Sequence, residues 1–102
     1  MNSYISFDKS MLTNPIKVKA EEKKLDFASA KLIADQKAKE VAHVPMLLSW
    51  YDSERGRFSP DVECCGEDKP AWLIYAESRG GNITIDVNDE QYVFIYVDSR
   101  QE

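Results

Sequence analysis

The sequence is sparing with the residues that mark special-purpose folds. Its 102 residues include two cysteines, four glycines, four prolines and a single histidine. A disulfide-stapled scaffold draws on four or more cysteines, so that class is excluded. No apolar run approaches the roughly 18 residues of a membrane span. The opening Met1-Asn2-Ser3-Tyr4-Ile5 lacks the basic and apolar regions of a secretory signal, so a cytoplasmic location is expected and no membrane partner. Acids outnumber bases, 18 to 13, for a formal net charge of -5. Nucleic acids and anionic lipids select positive surfaces, so nucleic acid is not an expected partner.

What is present suits a folded domain. With 43% hydrophobic, 11% aromatic and 30% charged residues, the chain has enough apolar mass for a core and too little net charge to resist collapse. One domain over residues 1–102 is expected, since domains commonly run about 100–150 residues. Charge is unevenly spread. Residues 1–43 carry eight Lys against six acids, whereas residues 44–102 carry five bases against twelve acids.

The clearest periodicity predicts a helix over residues 26–42. Phe27, Ala30, Ala34, Ala38 and Val41 fall on one stripe at 100° per residue, Asp26 is placed to cap the start, and Pro45 stops the chain soon after. Leu25, Ala28 and Leu32 project from nearly the opposite side and require a cover. Beyond Pro45 the period changes. Residues 46–51, 71–77, 82–87 and 91–97 read as strands, the last three separated by turn signals at 78–81 and 88–90. In the last strand Val93, Ile95 and Val97 share one face while Tyr92, Phe94 and Tyr96 share the other, so it is expected to be central or covered on both sides. Residues 3–7 suggest a further strand. Residues 16–19 fit either a strand or the first turn of a long helix. The resulting expectation is an α+β fold: one main helix packed on an antiparallel sheet that contains a C-terminal three-stranded meander over residues 71–97.

Residues 52–70 form a long connection with weak periodicity, and such loops are often functional. It holds Cys64 and Cys65. Paired zinc-binding cysteines usually have two residues between them so that both thiolates reach one ion, and these are adjacent. A redox or metal site built on Cys64 and Cys65 with Asp61, Glu63 and His43 is therefore the alternative reading, against buried or incidental thiols. His43 stands at the end of the helix, where it is expected to interact with the last carbonyls. No nucleophile motif accompanies it, the carboxylates of the loop have no evident sugar cleft, and Gly80-Gly81 lacks the spacing of a phosphate-binding loop. No catalytic residue and no cofactor are assigned.

The leading expectation is a small non-catalytic module that binds a protein partner or a second copy of itself. It rests on a surplus of aromatic, apolar and guanidinium groups, the types enriched at interface centres. Trp50, Tyr51, Arg55, Arg57 and Phe58 lie in or near the long loop, and Tyr92 and Tyr96 lie on the second face of the last strand. The acidic excess of the loop offers a place for a basic or amphipathic partner.

Overall fold

The computed structural model describes residues 15–20, 25–60 and 70–98. The suggested strand at 3–7 lies outside them, as do Asp61, Glu63, Cys64 and Cys65. In chain order the elements are β1 (Ile16–Val18), α1 (Phe27–Val41), β2 (Pro45–Asp52), β3 (Arg57–Ser59), α2 (Ala71–Ser78), β4 (Ile83–Val87) and β5 (Tyr92–Asp98). The five strands form one sheet in the order β1-β4-β5-β2-β3, with β1 parallel to β4. The other neighbours are antiparallel.

Helix α1 forms where its periodicity places it. The Asp26 carboxylate accepts the backbone N–H of Ser29 at 2.8 Å, which satisfies one of the donors left open at a helix start and holds the Asp26 carboxyl below its ordinary value. Ala30, Ala34 and Ala38 have no exposed surface. Their methyl groups let the helix backbone lie close to the sheet, over Ile83, Ile85, Val87, Tyr92, Phe94 and Tyr96. Two positions depart from the expected stripes. Val41 is half exposed, and Leu25, just ahead of the helix, packs on the core instead of facing away from it. Leu32 does face away and stays exposed.

Strand β5 sits between β4 and β2 and is apolar on both faces because both are covered. Tyr92, Phe94 and Tyr96 face α1, while Val93 and Ile95 pack with Trp72, Leu73 and Ala76 of α2. Alternation on a pleated strand thus feeds two cores from one segment.

The expected meander is overturned. Ala71–Ser78 is a helix, not a strand, and the sheet is mixed. The run Ala71-Trp72-Leu73-Ile74-Tyr75-Ala76 is apolar at nearly every position, so it satisfies a period of 2 and of 3.6 alike. Its ends decide the matter. The Pro70 carbonyl accepts the N–H groups of Leu73 and Ile74, both at 3.1 Å. At the other end Gly81 N–H bonds to the Ala76 carbonyl at 2.8 Å and Gly80 N–H to the Glu77 carbonyl at 3.1 Å, with Gly80 at φ +82°. This is the paired closure of a helix by a left-handed glycine. Gly80-Gly81, expected to turn a hairpin, instead ends α2 and leads into β4.

Two glycine substitutions separate backbone conformation from space. Gly80→Ala is expected to cost about 1–2 kcal/mol through the left-handed conformation alone, since nothing lies within 4 Å of the new Cβ. Gly81→Ala is expected to cost more, because its Cβ would stand 2.9 Å from Ile95 Cγ2 and 3.0 Å from the Ala76 carbonyl oxygen. Thermal unfolding of both variants followed by circular dichroism checks the order.

Candidate functional site

The residues expected to bind a partner divide between core and surface. Trp50 and Tyr51 point to opposite faces of β2. Trp50 packs on Phe27 of α1 with ring centroids 4.4 Å apart, and Tyr51 stacks on Trp72 of α2 at 5.3 Å and 6°. Both therefore anchor a helix to the sheet. Tyr92 and Tyr96 are each 2% exposed, so the layer over them is α1 itself. The Tyr92 hydroxyl donates to the Leu25 carbonyl at 3.1 Å, and the Tyr96 hydroxyl donates to Asp35 Oδ1 at 2.5 Å. Burial raises the pKa of both phenols. The Asp35 hydrogen bond adds to this for Tyr96, and the charge of Asp52 for Tyr92. They remain neutral donors that tie α1 and its approach segment to β5.

Arg55, Arg57 and Phe58 do lie at the surface, on the β2–β3 hairpin. Phe58 pairs in register with Tyr51 and Arg57 with Asp52. The buried Asp52 carboxylate accepts the N–H groups of Glu54 at 2.9 Å and Arg55 at 3.3 Å, which bends the chain back into β3. Ser53 fastens the turn to β5 through two bonds to the Gln91 carbonyl, 3.0 Å from its N–H and 2.8 Å from its hydroxyl. Part of the long connection is therefore an ordered hairpin. His43 meets Asp98, with its Nδ1 3.8 Å from one carboxylate oxygen. The same carboxylate accepts the N–H groups of His43 and Val44, at 3.2 and 3.0 Å, and so closes the corner between α1 and β2.

Several apolar side chains near that corner in the sequence stay exposed. Strand β3 pairs only with Trp50, Tyr51 and Asp52, so among the described residues no strand lies beside the outer edge of β2 over residues 45–49. Val41, Val44 and Met46, close to this edge in sequence, are 50%, 49% and 50% exposed. Val41 was assigned to the buried stripe on its angle alone, and its angle is right.

A second feature escaped the sequence reading altogether. Asp86, on the face of β4 opposite α1, has no exposed surface. Register places Lys17 of β1 beside it, with Nζ 3.7 Å from Asp86 Oδ2. Lys17 also stands 3.7 Å from Asp89 and 3.8 Å from Glu90. Asp86 Oδ1 accepts the Glu90 N–H at 2.5 Å, whereas Asp86 Oδ2 and Glu90 Oε2 are buried without a hydrogen bond. Asn88, Asp89 and Glu90 all have positive φ, at 54°, 59° and 68°. Three successive non-glycine residues in that region are costly unless their surroundings hold them. The available signal was Asp86 between Ile85 and Val87 in an otherwise apolar strand.

Among the described residues, no group of three or more His, Cys, Asp or Glu side chains is placed to hold a metal ion. None of their helices is long and apolar enough to cross a membrane. The described residues thus form a small α+β domain, a mixed five-stranded sheet with helices on both faces. Residues 13–96 match the family described as a domain of unknown function, DUF5619, and the chain belongs to that family. The crystal structure of protein AF1514 from Archaeoglobus fulgidus is similar, with a TM-score of 0.73 and 32% identity over 89% of this chain and 100% of that one. An uncharacterized protein of Archaeoglobus fulgidus is 49% identical over 49 residues, which covers 48% of this chain. The match spans about half of that relative's length, 52%.

Proposed function

We propose that this domain is a non-catalytic protein-interaction module and that a second copy of the chain occupies its open β2 edge. The reading is supported by the exposure of Val44 and Met46 at the start of β2, beside whose outer edge over residues 45–49 no described strand lies. Unpaired edges are templates for strand addition, and natural sheets usually block them with charge or a covering element. Here the flanking side chains are apolar. A two-fold contact pairs the same edge from both copies, so the lane that no described strand fills on one is filled by β2 of the other. Net charge opposes association only weakly, because the corner carries both signs in Lys39, Glu40 and Asp98. The short edge places the contact near the lower limit of specific interfaces, about 1,000–1,200 Å² of total buried surface. Association is therefore expected to vary with concentration.

Sedimentation equilibrium over a dilution series from millimolar to micromolar tests this. The wild-type chain is expected to pass from dimer to monomer, and Val44→Lys and Met46→Lys are expected to remain monomeric with unchanged circular dichroism. A wild type that is monomeric throughout the series overturns self-association.

A further inference from the structure

We propose that Lys17 and Asp86 are joined by an isopeptide bond between Nζ and Cγ, formed within the folded chain with loss of one water, and that Glu90 carries a proton in this condensation.

The sheet brings the two groups together. Lys17 and Asp86 are register partners on the parallel neighbours β1 and β4, with Nζ 3.7 Å from Oδ2. Asn88 keeps β1 in that register, since its N–H donates to the Val18 carbonyl at 2.9 Å and its side-chain oxygen accepts the Ala20 N–H at 2.7 Å. Groups held about 3–3.5 Å apart react as if present at effective concentrations of order 10⁵–10⁸ M, and a small rotation of the flexible lysine stem closes the remaining gap. The Lys17 side chain is 56% exposed, so its uncharged amine is scarce. A step within one molecule, with a stable product, draws on that scarce form until it is complete.

The surroundings of Asp86 give its two oxygens different tasks. Oδ1 accepts the Glu90 N–H at 2.5 Å, a donor placed to stabilise the negative charge that gathers on a carbonyl oxygen under attack. Oδ2 is buried without a hydrogen bond, and so is Glu90 Oε2, whose distance to Lys17 Nζ is 3.8 Å. Oδ2 is therefore the leaving oxygen and the Glu90 carboxyl the proton carrier. Burial first, and then the hydrogen bond and charge of Asp86, raise the Glu90 carboxyl above its ordinary value, with Lys17 opposing and Asp89 reinforcing, which suits a group that takes up a proton and returns it.

The Lys17 ammonium gives one proton to Oδ2, leaving an amine and an uncharged acid. The Nζ–Cγ bond then forms, a second proton passes from Nζ through Glu90 to the same oxygen, the Cγ–Oδ2 bond breaks and water departs. The third proton stays as the amide N–H. One positive and one negative charge disappear, and nothing is oxidised or reduced. Burial sets the direction of the reaction. In water an ammonium and a carboxylate are the stable pair, but the Asp86 carboxylate has no exposed surface and has lost its hydration, whereas an amide has no charge to desolvate. Asp89 lies equally near Lys17, at 3.7 Å, but its side chain is 80% exposed, so it stays a hydrated carboxylate. The product ties a strand of three residues to β4 by a covalent link.

Mass spectrometry of the intact chain tests the bond. The purified wild type is expected to weigh one water less than its sequence, and its tryptic digest to contain a branched peptide that joins Lys17 to Asp86, with no cleavage after Lys17. Lys17→Arg keeps the charge without a nucleophilic amine and should weigh its full sequence mass. Glu90→Gln keeps the N–H that serves Oδ1 but cannot carry the proton. Freshly purified, it should be mostly unlinked, because general acid–base transfer is worth about 10²–10⁴-fold in rate. A wild type at full sequence mass overturns the bond. So does a loss of water that persists in Lys17→Arg, the mark of an aspartate cyclised on its own backbone. A Glu90→Gln chain as fully linked as the wild type overturns the part given to Glu90.

Discussion

Replacing Phe94 with alanine is expected to cost about 3–5 kcal/mol. Phe94 lies in the middle of the central strand with no exposed surface. It faces Ile85 across one ladder and Trp50 across the other, and the Phe27 ring packs on it with centroids 5.5 Å apart. Deleting the ring removes contacts with both neighbouring strands and with α1. The site cannot collapse readily, because two of its walls are hydrogen-bonded strands. Domains of this size have total stabilities of about 5–15 kcal/mol, so the loss is a large share of the whole. At roughly 4–8 °C per kcal/mol the melting temperature should fall by well over ten degrees. Urea unfolding of the variant and the wild type measures the difference, and a loss below about 1 kcal/mol would contradict the placement of Phe94 at the centre of the core.

The second large effect is expected at Trp72, on the other face. Helix α2 has eight residues, too few to persist without tertiary packing, since isolated helices below about 12–15 residues are marginal in water. Trp72 is 1% exposed and stacks on Tyr51. It is the largest of the three buried side chains with which α2 grips the sheet. Trp72→Ala is expected to cost about 3–5 kcal/mol, and to act first on α2. Exchange of the α2 amides should accelerate more than that of β4 and β5, because Leu73 and Ala76 cannot hold the helix alone. Trp72→Phe, which keeps an aromatic face for Tyr51, should recover much of the loss. Equal acceleration in α2 and β5 would mean that the helix has no opening of its own.

These two positions also mark how far the sequence could be read. Phe94 was legible because its segment, apolar on both faces, is rich in β-branched and aromatic residues and follows a turn signal at 88–90, which together favour a strand. Helix α1 was legible from several agreeing signals: Asp26 before it, alanine at every fourth position within it and Pro45 after it. Trp72 was misread because its segment has no polar face. Local pattern then cannot choose a period, and the decision passes to Pro70 and to Gly80-Gly81, whose capping role is visible only once the carbonyls they serve are in place. The surface was harder still. Tyr92 and Tyr96 resemble interface residues by type, yet their hydroxyls are spent on Leu25 and Asp35. Val41 and Met46 resemble core residues by type, yet both are half exposed. Lys17 and Asp86 meet only through the parallel pairing of β1 with β4, a long-range event that no local spacing encodes.

The two faces of β5 differ in bulk as well as in direction. Its aromatic row lies under the alanine stripe of α1, large side chains against small ones, and its β-branched row lies under Trp72, small against large. A slip of one residue along β5 would exchange the rows, forcing valine and isoleucine beneath alanines and tyrosine and phenylalanine beneath tryptophan. One layer would be left hollow and the other overfilled, although every exchanged residue is apolar. Register in this sheet is thus specified by volume, where a sheet with one wet face specifies it by polarity, and conservative apolar exchanges along β5 are the substitutions that would erase it.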